Sequence, residues 1–177
     1  LLRIVNNIED VDLMGVEFAA NANLNDYISF YGGVNVIDSE IKANSVRADS
    51  VGNKSPYTPD YTINAGVQVQ YPVLSEIDLL LRADFSRIGP TWMHVIQDNP
   101  QSSLFGPANY DRTQRDAYNI VNLRVGMESN NWTITGFAKN LFDKEYLEEV
   151  IPSPQFGGSF IHPGDKARYG VEVVYNF

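Results

Sequence analysis

Side chains able to do chemistry are few and scattered along this 177-residue chain. There is no cysteine, which removes disulfides, thiolate metal sites and a thiol nucleophile together. The two histidines, His94 and His162, do not form an HExxH pair, and no EF-hand, P-loop or GxSxG run is present. Ser159 and His162 fall close together, but no acid stands where it would orient the imidazole. These residues point away from an enzyme, and they call for no cofactor and no resident metal. Thirteen Lys and Arg against 22 Asp and Glu leave a net charge of -9, which argues against a nucleic-acid partner because phosphates need clustered cations.

What remains is binding chemistry in two long polar stretches. Residues 88–117 carry Trp92, His94, Tyr110, Asp111, Arg112 and Arg115; residues 143–167 carry Tyr146, Phe156, Phe160 and His162. Aromatic, cationic and imidazole groups on loops are where contacts with a small-molecule ligand concentrate when a rigid scaffold holds the loops. The weak candidates for such contacts are Trp92, His94, Tyr110, Arg112, Tyr146 and His162.

The scaffold is legible as strict period-2 alternation, which places successive side chains on opposite faces of a strand. In residues 61–71, Tyr61, Ile63, Ala65, Val67, Val69 and Tyr71 share one face, against Thr62, Asn64, Gly66, Gln68 and Gln70. The same pattern predicts strands over 13–24, 28–36, 77–87, 118–127, 132–142 and 168–177, with Phe137 and Val174 as apolar intruders on the polar side. Short connections (25–27, 72–76, 128–131) alternate with long ones (37–60, 88–117, 143–167). Turn length sets register. The first turn pairs Leu24 with Ile28 and Val16 with Val36. The second pairs Tyr71 with Ile77, Val67 with Leu81 and Ile63 with Phe85; the third pairs Met127 with Trp132 and Val125 with Ile134. In each hairpin, apolar residues meet apolar residues.

Alternation is shared by soluble sandwiches and membrane barrels. Predicted strands of about 9 to 12 residues exceed the soluble average of roughly 5 to 6 and match a tilted bilayer crossing. Aromatics gather at strand ends, at Tyr71, Trp132, Tyr175 and Phe177 by the short turns and at Tyr61, Tyr118 and Tyr169 by the long loops. Mid-strand apolar positions carry no charge, whereas the opposite face holds Glu17, Asp78, Arg82, Asp84, Arg124, Lys139, Arg168 and Glu172. The fold class read from this is all-β: an antiparallel transmembrane β-barrel segment of about seven strands, with short periplasmic turns, long extracellular loops and outer-membrane lipid against the apolar face. An odd strand count does not close a bacterial barrel with both ends in the periplasm, so the expectation is a piece of a larger wall.

Two runs carry a family resemblance. Ala138-Lys139-Asn140-Leu141-Phe142-Asp143-Lys144-Glu145-Tyr146, with Asn140, Leu141, Phe142, Asp143 and Tyr146 as its core, resembles the penultimate-strand motif of TonB-dependent outer-membrane receptors. The ending from Pro163 to Phe177 is similar to their last strand, and Gly15-Val16-Glu17 to a recurrent strand of the family. Tyr169, Val171, Val173, Tyr175 and Phe177 also resemble the signal read by the outer-membrane barrel assembly machinery. The resemblance implies a barrel of about 22 strands around an N-terminal plug. It implies import of a ligand such as an iron-siderophore, cobalamin or carbohydrate, driven by the TonB complex through that plug. On this reading, residues 1–177 are the C-terminal portion of the barrel domain, and the plug and remaining strands lie outside them. A small outer-membrane barrel with an adhesin or structural role is the rival membrane reading, and a soluble β-sandwich binding module the rival outside the membrane.

Overall fold

A computed structural model describes residues 7–98, 101–103, 106–108, 113–153 and 156–177. In chain order the strands are β1 (Asp10–Asn23), β2 (Ile28–Ala43), β3 (Tyr61–Leu74), β4 (Ile77–Ile88), β5 (Thr91–Trp92), β6 (Gln101–Ser103) and β7 (Gly106–Ala108). They continue with β8 (Gln114–Arg115), β9 (Tyr118–Glu128), β10 (Trp132–Lys139), β11 (Leu147–Ser153), β12 (Gly158–Pro163) and β13 (Arg168–Tyr175). The seven long strands form one sheet in the order β1-β2-β3-β4-β9-β10-β13, antiparallel throughout. The short strands pair as β5-β8, β6-β7 and β11-β12 inside the long connections.

The sheet is uncovered on its apolar side. Met14, Val16, Phe18, Val171 and Val173 are between 65% and 80% exposed. A sandwich would bury such residues beneath a second sheet. Among the described residues no such layer exists, and the buried hydrophobics are Ile41, Met93, Ile96, Ala138 and Val150. Contiguous apolar surface on this scale must be covered by another apolar phase.

The three short turns close differently. Asn25 accepts the N–H groups of Tyr27 and Ile28 through Oδ1, both at 2.9 Å, and this Asx turn keeps Val16 opposite Val36, as the three-residue turn requires. The second turn is tighter than its sequence suggests. Pro72 stays in the ladder opposite Asp78, an irregularity follows, and Leu74 pairs with Ile77, leaving two residues in the turn. Proline lacks the N–H for a regular ladder and is tolerated at a bulge. As a result Val67 faces Ala83, Tyr71 faces Leu79 and Ile63 faces Arg87, each two residues from the expected partner. The third turn shifts by two as well: Met127 faces Ile134 and Val125 faces Gly136, because Ser129 N–H closes on the Trp132 carbonyl at 2.8 Å. An even shift leaves every side chain on its own face, so the apolar and polar sides remain as read.

Strand ends also move. β2 runs on to Ala43, and β10 stops at Lys139 because Asn140 turns to φ 48°, a left-handed conformation that no ladder accommodates. The intruder Phe137 has a partner: it stands opposite Gly170, and a Cβ there would lie 2.5 Å from the ring. Tyr31 of β2 covers Gly66 of β3 in the same way, where a Cβ would lie 2.2 Å from the ring. An aromatic ring laid over a cross-strand glycine replaces the side-chain packing that glycine lacks.

Candidate functional site: the long-loop end and the polar wall

At the long-loop end, the chain after β2 packs on the chain after β4. Tyr57 N–H donates to the Trp92 carbonyl at 2.7 Å, and Asn53 Nδ2 to the Val95 carbonyl at 2.8 Å. Gln97, almost wholly buried, uses its amide as a strand would use a peptide: Nε2 donates to the Lys54 carbonyl at 2.7 Å and Oε1 accepts the Lys54 N–H at 3.1 Å. Ile96 between them is fully buried. Buried main-chain groups need partners, and here Gln97 supplies two of them.

The predicted ligand residues fall into different environments. Trp92 sits in β5 opposite Gln114, half-buried. His94 is half-buried; in the neutral ring its Nδ1 can accept the Ile96 N–H at 3.1 Å, and when protonated it can donate to the Ile96 carbonyl at 3.4 Å. Burial holds His94 below the usual imidazole range, with Arg47 lowering it further, against the bond that a protonated Nδ1 donates to the Ile96 carbonyl and the charge of Asp49. Tyr146 stacks on Tyr118 with centroids 4.3 Å apart and planes at 9°. His162 is exposed on β12, 3.9 Å from Glu148. Tyr110 and Arg112 lie outside the described residues.

Arg115 joins the two long connections. Its guanidinium donates to the Leu147 carbonyl and to Thr91 Oγ1, both at 3.0 Å, and lies 4.8 Å from the centroid of the Tyr118 ring that stacks on Tyr146. Trp92 and Tyr146, expected as separate ligand contacts, thus belong to one packed assembly through their neighbours. No local pattern marks Gln97, Asn53 or Arg115 for these roles, because their partners are main-chain groups far along the chain.

The Asn140 run forms a clasp at the head of β10. Asn140 Nδ2 donates to the carbonyls of Lys144 (3.0 Å) and Asp165 (2.9 Å), its Oδ1 accepts the Lys144 N–H (2.9 Å), and its own N–H donates to Asn122 Oδ1 (2.9 Å). Asp143, also at φ 48°, accepts the Ala167 N–H at 2.7 Å, and Tyr169 hydroxyl meets the Leu141 carbonyl at 3.3 Å. Tyr146 lies flat on Gly164, and Lys166 pairs with Glu145. Phe142 is exposed. Beyond the clasp, Tyr169, Val171, Val173 and Tyr175 line the uncovered face of β13, followed by an exposed Phe177.

On the polar wall, Arg82 grips Asp84 at 2.9 to 3.1 Å, donates to the Tyr31 hydroxyl at 2.8 Å, and sits 5.1 Å from that ring's centroid. Directly across from Arg82 stands Arg124.

An antiparallel sheet of long strands with one wet and one uncovered apolar face, and loops built up at one end, matches a family model over residues 3–141, described as TonB dependent receptor-like, beta-barrel. The chain belongs to this TonB-dependent receptor family. The family consists of outer-membrane receptors, not enzymes, so this β-barrel wall lies in the outer membrane.

Solved structures agree in fold. The chain is similar to the ferric yersiniabactin uptake receptor FyuA from Yersinia pestis, with a TM-score of 0.78 and 19% identity over 94% of this chain and 24% of that one. It is similar to the ferric-catecholate import receptor Fiu from E. coli K12, with a TM-score of 0.66 and 19% identity over 93% of this chain and 21% of that one. With the siderophore receptor PiuA from Acinetobacter baumannii the TM-score is 0.64 at 16% identity, over 93% and 21% of the two chains. The chain therefore spans about a quarter or less of the length of each of these receptors.

Proposed function

We propose that this chain is the C-terminal portion of the barrel domain of a receptor that imports a ferric siderophore across the outer membrane. A plug domain and the remaining strands lie in the parent protein outside residues 1–177, and TonB drives transport through that plug. The observation that carries this reading is the single seven-stranded wall, apolar and uncovered on one face and polar on the other, with its long connections interlocked at one end. The three similar receptors are all described by siderophore or ferric-chelate uptake, which favours an iron chelate over cobalamin or carbohydrate. The interlocked loops that carry Trp92, His94 and Tyr146 are the entrance through which the chelate passes. Lipid covers the Val16, Phe18 and Val171 face. The alternating Tyr169, Val171, Val173, Tyr175 and Phe177 series is read by the barrel assembly machinery.

The test is genetic and direct. Deleting the parent gene should abolish uptake of one radioactive ferric chelate under iron limitation, and restoring the gene should restore uptake only in cells with intact TonB. Uptake unchanged by the deletion across ferric chelates, cobalamin and oligosaccharides would remove the import reading.

A further inference from the structure

On the uncovered face of β4, the apolar series Ile77, Leu79, Leu81, Ala83 and Phe85 ends in a cation, Arg87. Cross-strand pairing sets Arg87 between Ile63 of β3 and Asn119 of β9. One row nearer the short turns, Phe85 stands between Ala65 and Val121. A guanidinium on a lipid-facing strand is costly at the bilayer midplane and nearly free at the interface, so its height decides what it can do. From Ile77 to Arg87 the strand runs about 34 Å at about 3.4 Å per residue, and a tilt of about 40° turns this into about 26 Å along the barrel axis. The apolar band of such a wall is about 25 Å tall. Arg87 therefore stands at the upper edge of the band, where headgroups begin.

The hydrogen bonds around Arg87 leave only donors over. Its Nε donates to the Tyr61 hydroxyl at 3.1 Å and its Nη1 to Asn119 Oδ1 at 2.9 Å, with Cζ 5.9 Å from the Tyr61 ring centroid. A guanidinium has five N–H groups and accepts nothing, so both neighbours must turn an oxygen toward it. The Tyr61 O–H, the Asn119 amide hydrogens and three guanidinium N–H groups on Nη1 and Nη2 remain, with no acceptor for them among the described residues. No carboxylate of the described residues forms an ion pair with Arg87. Nor is this the margin of the sheet. β4 is the central strand of the seven, so a chain adjoining the wall at β1 or β13 joins it three strands away, and whatever fills the interior lies on the opposite face.

We propose that Arg87, Tyr61 and Asn119 form a site on the outside of the barrel for the phosphate of an outer-leaflet lipid. The Nη1 and Nη2 end of the guanidinium offers a planar fork to phosphate oxygens, and Tyr61 and Asn119 supply further donors beside it. Acyl chains hanging from that phosphate have Ala65, Phe85 and Val121 to lie on, a surface that a free phosphate would not use. That this face meets lipid rests on the reading given under Proposed function; the phosphate chemistry rests on the leftover donors.

The experiment titrates the full-length parent receptor, delipidated in neutral maltoside micelles, with bisphosphorylated lipid A and reads the lipid-bound fraction by native mass spectrometry. Lipid A should bind, and the same lipid stripped of its phosphates should bind about tenfold more weakly. Arg87→Gln should weaken lipid A binding by about tenfold, and Arg87→Lys by less, because the ammonium keeps the charge and loses the fork. Arg124→Gln removes an equal charge from the opposite face of the wall and should change nothing. Heat-modifiable gel mobility confirms that each variant is folded. Undiminished lipid A binding in folded Arg87→Gln, or an equal loss in Arg124→Gln, would overturn the proposal. So would displacement of lipid A by inorganic phosphate at equal concentration, which would make the occupant a free anion. Lipid contact is read separately, from quenching of a bimane on Val125→Cys by brominated acyl chains. Quenching with Arg87 idle sinks only the phosphate site, and absence of quenching sinks the lipid-facing reading beneath it.

Discussion

Asn140 Nδ2 donates to the carbonyl of Asp165 at 2.9 Å, tying the end of β10 to the approach of β13 across 25 positions of sequence. This bond does for the last pair of strands what a tight turn does for the others. β13 returns after residues 140–167, a connection too long to set register by its own geometry. The clasp of Asn140 to Lys144 and Asp165, with Asp143 to Ala167, sets it instead.

Asn140→Ala should therefore destabilise the folded barrel by about 4 kcal/mol. Three side-chain bonds are lost at roughly 1 kcal/mol each, and a left-handed residue loses a side chain suited to it. Asn140→Gly relieves only the backbone component and should recover about 1 kcal/mol of the loss. Urea unfolding of the full-length receptor, followed by heat-modifiable gel mobility, measures both, and equal stability of Asn140→Ala and the parent would show the clasp to be idle.

Gly66→Ala should cost about 1 to 3 kcal/mol, because the new methyl would overlap the Tyr31 ring and push it off Arg82. Gly136→Ala on the outer face meets nothing closer than the Val125 carbonyl at 3.7 Å and should be near neutral. In a double-mutant cycle, Tyr31→Ala should suppress the penalty at Gly66. Additive losses would mean that the ring and the glycine do not interact.

The interlocked loops should loosen in acid. His94 is held low by burial, so between its folded pKa and the ordinary value near 6.5 the opened loop binds more protons than the closed one. By linkage, its contribution is complete above about pH 6.5 and declines as pH falls through the folded value. Protonation at Nδ1 would also remove the acceptor for the Ile96 N–H. Amide hydrogen exchange at Tyr57 and Ile96 should accelerate from pH 7.5 to pH 5, after correction for intrinsic rates, and His94→Gln should flatten that dependence.

Gln97→Ala should damage the same loops far more than Lys54→Met. The first leaves the Lys54 N–H and carbonyl without partners, at about 2 kcal/mol or more. The second removes an exposed pairing with Asp38 at 2.5 Å and Asp60 at 3.9 Å, where about 0.5 kcal/mol is typical. Limited proteolysis between β2 and β3 ranks the two, and a larger effect of Lys54→Met would contradict the packing argument.

If lipid covers the exposed Val125 face, as proposed, Val125→Arg should lower stability in bilayers by about 2 to 4 kcal/mol. Thr135→Arg, on the lumen side of the neighbouring strand, should cost little. Refolding titrations into lipid vesicles read the difference, and equal penalties would remove the distinction between the faces.

The seven wall strands and the side each residue faces were legible in the sequence, because period-2 alternation is a local property that survives any fold bringing the strands together. Register was legible only to within two residues. Shifting Val67 from Leu81 to Ala83 leaves every side chain on its own face, so hydrophobic pattern cannot distinguish the two pairings; the bulge after Pro72 and the closure of Ser129 on Trp132 decide it. The intruder Phe137 becomes intelligible once Gly170 is seen beneath it, a pairing made across the long connection between β10 and β13. The same holds at the loops. Trp92, His94 and Tyr146 could be singled out by residue type, but Gln97 and Arg115 bind main-chain groups up to 43 positions away, and only tertiary structure brings such distant partners within hydrogen-bond distance.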